Sequence, residues 1–329
     1  MLSGRPLLYT AGDRRYLVER AEEGLVLHNV QAGLNTLLLA ERGMGKTTLL
    51  RQLQGRLEEE LDLKAVYLDA RRLEDAAMIL LSVRDALEGP RNAIAESLRT
   101  SAMSFAPTPV ELRNEEALRL VRDLESGMEG RQACILLDEP DPESAHRLFG
   151  RLRDELWQTG LTWVVAGDQA RRQQYLTPPA DAFFERVLEL KPFTQAQQLE
   201  LVQKRLEGRD DDDVVGVTIE SGNPRALLAA LRDAAGGHGA QEVLARRADR
   251  ERRAAKELGP LASLMLAEIE DGASASASDR DWLSRFGISR QRAQQVLTQL
   301  EGKGFVRAER LPGPSGRPRK MYRRLEAPS

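Results

Sequence analysis

Ala40-Glu41-Arg42-Gly43-Met44-Gly45-Lys46-Thr47 is the stretch on which the fold turns. It follows a short apolar run, Asn35–Ala40, and precedes a segment with helical spacing, Thr48–Glu60. A Gly-rich loop between a strand and a helix is a phosphate cradle. Its backbone N–H groups point inward, and the helix presents its positive end to the same anion. Gly43 and Gly45 let the backbone approach without Cβ clashes. Met44 and Thr48 complete the nucleotide-binding stretch. Lys46 is expected to reach the terminal phosphates, and the Thr47 hydroxyl to ligate Mg²⁺. Ala40 stands where such loops usually carry their first glycine.

The matching acidic element is Ile135-Leu136-Leu137-Asp138-Glu139, whose Asp138 lies 92 residues after Lys46. An apolar strand delivers Asp138 to the C-terminal edge of a sheet, near the metal. Glu139 is then placed to polarise water for attack on a γ-phosphate. Loop and acid together imply ATP and Mg²⁺. Cys134, inside the same strand, reads as a small core residue.

Outward from this pair, apolar runs alternate with helical spacing. Asp13 to Gly33 reads as one amphipathic helix, with Leu17, Ala21, Leu25 and Val26 on its inner face. Strands are expected at Ala65–Asp69, Ala133–Asp138, Leu161–Ala166 and Val187–Leu190. Leu73–Leu87, Ala93–Met103, Glu111–Ser126 and Ser144–Thr159 read as helices between them. That alternation predicts an α/β fold with a parallel sheet covered on both faces. After Pro192 only helices are expected, at Thr194–Glu207, Asp212–Glu220, Pro224–Ala235 and Gln241–Leu258. The Asp210–Asp213 run reads as carboxylates at a helix start. The last part reads as helices Pro260–Glu270, Asp279–Phe286 and Ser289–Glu301, then strands Gly304–Arg310 and Lys320–Leu325 around Pro312–Gly316. The expected domains are residues 1–191, 192–254 and 255–329.

Composition narrows the classes. The chain has 329 residues, 41% hydrophobic and 30% charged, as in soluble globular proteins. One cysteine excludes an internal disulfide and a multi-cysteine metal site. Three dispersed histidines argue against structural zinc. No apolar run approaches the ~18 residues that span a bilayer, so no membrane partner is expected. The start lacks a signal-peptide pattern, and a cytoplasmic location is the expectation. The net charge of -3 hides an asymmetry. Residues 302–326 hold eight basic and two acidic side chains, a basic tail that suits a polyanion.

Just before that tail, Ser289 suits the N-cap of an amphipathic helix. Ala293, Val296, Leu297 and Leu300 form its inner stripe. Arg290, Gln291, Arg292, Gln294, Gln295 and Thr298 are left for the other faces. Arginine and glutamine can read guanine and adenine edges in the major groove. With Asp281–Phe286 and the Gly287 turn, this forms a helix-turn-helix pattern. The hairpin that follows makes the whole resemble a winged helix. Gly316-Arg317-Pro318-Arg319-Lys320 resembles a basic wing, and also the short Gly-Arg-Pro core that enters narrow minor grooves. Double-stranded DNA is the expected partner.

Taken together, the motifs resemble the AAA+ ATPases, specifically the origin-recognition and initiator-like branch. Asp13-Arg-Arg-Tyr-Leu17 resembles the box before the family's first helix, and Leu39–Leu50 its phosphate loop. Phe184-Glu-Arg186-Val-Leu-Glu-Leu-Lys-Pro192 resembles the strand leading into a helical lid. Ser221-Gly-Asn-Pro-Arg225 resembles the second sensor. The resemblance implies that Arg225 reaches the nucleotide's phosphates from the lid. It implies that Arg186 is the finger completing a neighbour's site, with Arg171 and Arg172 as rivals. Asp168 falls where the family usually offers Asn, Ser or Thr to orient water. A further carboxylate near a γ-phosphate is unfavourable, so slow hydrolysis is expected. The implied function is a DNA-binding ATPase switch that self-associates or recruits a helicase, transposase or nuclease. A transposition- or defence-associated ATPase and an ATP-responsive transcription regulator are the alternatives.

Overall fold

Residues 4–73, 75–88, 110–128, 131–206, 219, 221–234, 249, 252–270, 275–279, 282–283, 286–312 and 318–324 are described by the structure, a computed structural model. The helix expected at Ala93–Met103, nearly all of that at Asp212–Glu220, the Asp210–Asp213 run and Arg317 lie outside the described residues. The chain divides into two compact units, one of residues 6–191 and one of residues 1–5 with 192–329.

The first unit is built on five strands: β1 (Thr36–Ala40), β2 (Lys64–Asp69), β3 (Ala133–Asp138), β4 (Leu161–Asp168) and β5 (Arg186–Glu189). Their order is β2-β3-β4-β1-β5, and every pairing is parallel. Side chains alternate between the two faces of a strand, so each central strand feeds two cores. Leu37, Leu39, Ile135, Leu137, Trp163 and Val165 enter one core. Leu38, Ala40, Cys134, Leu136, Val164 and Ala166 enter the other. Burial on both faces is why these runs are continuously apolar rather than alternating.

The opening helix expected from Asp13 to Gly33 is two helices, α1 (Ala11–Arg14) and α2 (Ala21–Gln31). No glycine or proline marks the break between them. The Thr10 side chain caps α1 by accepting from the Asp13 N–H. The Asp13 carboxylate accepts the Leu8 N–H at 2.8 Å. Residues 15–20 leave the helix, and Arg20 reaches carbonyls elsewhere in the unit. Leu25, expected inside, is exposed, while Val26, Leu27 and Val30 are buried.

The helices α3 (Lys46–Leu61), α4 (Ala76–Glu88) and α5 (Val110–Gly127) follow their expected spans closely. The expected helix Ser144–Thr159 is instead α6 (Pro142–His146), a π turn at Arg147–Arg151, and α7 (Arg153–Gln158). The wider turn seats Phe149 in an aromatic cluster. Its ring lies 4.8 Å from Phe183, stacked, and 5.3 Å from Trp163, edge-on. A Cβ on Gly150 would stand 3.3 Å from the Ala180 backbone nitrogen, so only a glycine fits there without adjustment. A short helix α8 (Arg172–Tyr175) follows β4.

In the second unit, α9 (Gln195–Leu206) starts with a capping box. The Thr194 hydroxyl accepts from the Gln197 N–H at 3.3 Å, and the Gln197 side chain accepts from the Thr194 N–H at 3.0 Å. In α10 (Pro224–Ala234), proline occupies the first turn and the Asn223 side chain accepts from the Arg225 and Ala226 N–H groups. Gly222 has φ +57°, and a Cβ there would sit 2.6 Å from the Phe193 carbonyl oxygen. The Ser221–Arg225 motif is therefore also a turn chemistry that stops one segment and starts a helix.

Further on, α11 (Pro260–Glu270) and α12 (Arg290–Gly302) share a core with an antiparallel hairpin, β6 (Val306–Pro312) and β7 (Pro318–Arg324). Ala293, Val296, Leu297 and Leu300 are buried, as their spacing predicts. A bridge between Ala275 and Tyr322 adds a short edge to the hairpin. Trp282 fills the centre with Phe286 edge-on at 4.9 Å.

Phe149 is fully buried, so Phe149→Ala is expected to cost about 3–5 kcal/mol of stability. A matching fall in the chemical denaturation midpoint checks this, and an unchanged midpoint contradicts the packing.

Candidate nucleotide site

Parallel register aligns three strand ends at one edge of the sheet. Ala40 of β1 pairs with Asp168 of β4, and Asp138 of β3 pairs with Ala166 of β4. The loop after Ala40 turns through Gly43 at φ +84° and Gly45 at φ +94°. That left-handed backbone needs glycine, and it delivers Lys46 to the first turn of α3. Met44 is buried beneath the loop.

Lys46 is only 5% exposed. Its ammonium donates to the Ala40 carbonyl at 2.9 Å and the Glu41 carbonyl at 3.3 Å, and lies 3.5 Å from a Glu139 oxygen. A buried cation drawn onto the loop's own carbonyls is positioned to meet an anion in the loop.

Strand parity sends Asp138 to the face that α3 covers. There the Thr47 hydroxyl donates to Asp138 Oδ2 at 2.7 Å, and the Tyr67 hydroxyl donates to the same oxygen at 2.8 Å. The other oxygen, Oδ1, is buried without a hydrogen-bond partner. Burial pushes the Asp138 carboxyl above its usual range, opposed by the Thr47 and Tyr67 hydroxyls and the Lys46 charge. A buried, unsatisfied carboxylate oxygen beside a serine-type hydroxyl fits a divalent cation that keeps most of its own waters. Among the described residues no three His, Cys, Asp or Glu side chains gather to hold a metal on their own.

Glu139 has φ +51°, a left-handed backbone that non-glycine residues rarely adopt. Two buried contacts hold it. The Glu139 N–H donates to the Ala166 carbonyl at 2.8 Å. The Tyr175 hydroxyl donates to the Pro140 carbonyl at 2.7 Å. The result turns Glu139 back toward Lys46.

The remaining expected residues are less concentrated. The Thr48 hydroxyl accepts the Leu7 N–H at 3.2 Å, so its side chain anchors the preceding segment rather than the loop. Asp168 lies at the same edge as Ala40, but its carboxylate caps the next turn by accepting the Ala170 N–H at 3.0 Å. Arg186 opens β5 opposite Thr36, four residues below the loop, or about 13 Å along the strand. It is exposed and is not brought to this chain's own loop. Arg172 pairs with Glu189. Arg225 belongs to the second unit, in the first turn of α10.

On α12 the Ser289 side chain caps the helix by accepting the Arg292 N–H at 3.2 Å. Arg290, Gln291, Arg292 and Gln295 are exposed, and Arg292 donates to the Gln295 side-chain oxygen at 2.8 Å. Lys320 is tied to Glu301 at 2.7 Å, and Arg319 lies on β7.

Three residues were not anticipated as part of the site. Tyr67 and Tyr175 are the phenols just described. Arg20 donates to the Met44 carbonyl of the loop at 2.7 Å and to the Lys191 carbonyl at 2.8 Å. Burial pulls its pKa down to about 10, so it stays charged at neutral pH. For Tyr67 a signal existed: it lies two residues after Ala65 on β2, in the parity of the face that meets α3.

Residues 30–176, a little under half of the chain, match the family model described as an AAA domain. That stretch holds the loop and four of the five strands, and the parallel sheet with its helices is consistent with a P-loop AAA+ α/β domain. No curated protein matches the chain by sequence. Among solved structures, Aeropyrum pernix Orc1 in complex with DNA is similar at TM-score 0.50 and 20% identity, over 94% of this chain and 89% of that one. Pyrobaculum aerophilum Cdc6p follows at 0.49 and 16%, over 96% and 94%, and the Aeropyrum pernix Orc2 protein in ADPNP–ADP complexes at 0.47 and 16%, over 97% and 91%. At such identities the likeness to Orc1 is one of fold.

Proposed function

We propose that the chain is an ATP-binding, slowly hydrolysing switch that controls a DNA-binding module. The observation that carries the nucleotide part is the Thr47–Asp138 contact at 2.7 Å, with the second Asp138 oxygen buried and unpartnered. The fold likeness to an Orc1 protein solved with DNA supports an initiator-like role.

In this reading the loop N–H groups and the α3 N-terminus hold the phosphates. The Lys46 ammonium exchanges its bonds to Ala40 and Glu41 for phosphate oxygens. Thr47 and Asp138 would hold Mg²⁺, which would supply positive charge against the phosphates when bound. Glu139 takes the proton of the attacking water as the new O–P bond forms and the bond to the ADP oxygen breaks. Asp168, a carboxylate where a neutral group would be better, keeps turnover slow. Arg225, in residues 192–254, is the candidate second-sensor arginine, and Arg186 the candidate finger for the site of a neighbouring copy.

Residues 255–329 act as the DNA module of this switch, with a winged-helix reading of α12 and the β6–β7 hairpin. Arg290, Gln291, Arg292 and Gln295 face the major groove, Ser289 caps the helix at the backbone, and Arg317, Arg319 and Lys320 form the basic wing. Nucleotide state would shift populations between forms with different DNA affinity.

Lys46→Ala is expected to weaken ATP binding about 10- to 100-fold, through loss of a charge-assisted contact. Calorimetry showing unchanged affinity overturns the site. Glu139→Gln is expected to leave ATP bound within about threefold while turnover falls about 100-fold. Normal phosphate release by that variant removes Glu139 from the chemistry. Replacing Arg317 and Arg319 together by Ala should lower the salt slope of DNA binding by up to about 2, at ~0.9 per phosphate contact. A slope equal to that of the unaltered protein takes the wing out of the interface.

A further inference from the structure

Two hydroxyls converge on one oxygen of Asp138, and this convergence is more than the loop and the acidic strand require. Thr47 donates to Oδ2 from the first turn of α3, and Tyr67 donates to the same Oδ2 from β2, the neighbouring edge strand. A carboxylate held at one oxygen by two donors from different directions cannot rotate to exchange its oxygens without breaking both bonds. Oδ1 is therefore fixed where it lies, buried and without a hydrogen-bond partner.

Tyr67 is itself held. It registers with Leu136, two residues before Asp138 on β3, so strand parity puts both side chains on the face beneath α3. The Arg51 guanidinium, one turn along α3 from Thr47, lies 3.5 Å from the centre of the Tyr67 ring. That distance is well within cation–π range, and it clamps the ring from the helix side. Helix, tyrosine and carboxylate thus form a closed set of contacts around Oδ2.

Resting on the nucleotide reading above, we infer that Tyr67 is a positioning residue for the Mg²⁺-holding carboxylate. It presents Asp138 Oδ1 to the ion or to one of its waters, and it touches neither nucleotide nor metal. Groups that orient metal-holding carboxylates typically matter about 10- to 100-fold for metal affinity. Removing the hydroxyl frees Asp138 to turn about the single bond to Thr47, while the ring and its stacking on Arg51 remain.

The test is Tyr67→Phe in the full chain, with fluorescent ADP as the probe. Affinity is measured in EDTA and then as Mg²⁺ is titrated. The expected result is EDTA affinity within about twofold of the unaltered protein, with the Mg²⁺ midpoint raised about tenfold or more. An unchanged midpoint overturns the inference. Loss of binding in EDTA also overturns it, because the phenol would then be supporting the fold rather than the ion. Direct Mn²⁺ binding in the presence of ADP, followed by electron paramagnetic resonance, should show the same tenfold weakening. If the unaltered protein binds ADP with no Mg²⁺ dependence, the metal reading itself falls, and that outcome appears without any substitution.

Discussion

A buried carboxylate with one oxygen saturated and the other bare is the constraint around which the first unit is arranged. Asp138 can sit there only because β3 is buried on both faces and ends beneath α3. The register with β4 places it level with Leu38, two residues before β1 ends and the loop begins. Thr47 and Tyr67 hold one oxygen in place, and Lys46 supplies a nearby positive charge. Each of these depends on strand order. A one-residue slip of β3 would send Asp138 to the opposite face and leave Thr47 without its partner.

The same economy of contacts explains the strained turn at Glu139. A left-handed residue at the end of a central strand costs on the order of 1–3 kcal/mol, and it persists only when its surroundings over-determine it. Here the Glu139 N–H and the Pro140 carbonyl are both engaged by buried partners, Ala166 and Tyr175. Gly167 lies under the Tyr175 ring, where a Cβ would come within 2.6 Å of it. The position of the second acid thus follows from packing several residues away.

Much of this was legible in the residues. Apolar runs located β1, β3 and β4 because strands buried on both faces have no polar alternation to hide them. The loop was legible because its glycines and its Lys-Thr pair are tied to adjacent backbone geometry. The inner stripe of α12 was legible because a capped helix on a small core follows its 3.6-residue period. The break between α1 and α2 was not legible. No glycine or proline marks it, and it is fixed by Arg20 reaching Met44 and Lys191, residues far away in the chain. The π turn at Arg147–Arg151 was hidden for a similar reason, since it answers the Phe149 cluster rather than a local signal. Tyr67 and Tyr175 escaped because a hydroxyl's partner is set by strand order, which spacing alone does not reveal.

The central claim is that nucleotide state controls the DNA module. The most direct measurement is DNA binding by the unaltered protein with ATP, with ADP and with no nucleotide, against random and genomic-library duplexes at fixed salt. The account predicts enrichment of particular sequences and an affinity for them that changes with the nucleotide. Equal, sequence-blind binding in all three states would contradict it, and would leave an ATPase whose output passes to another protein.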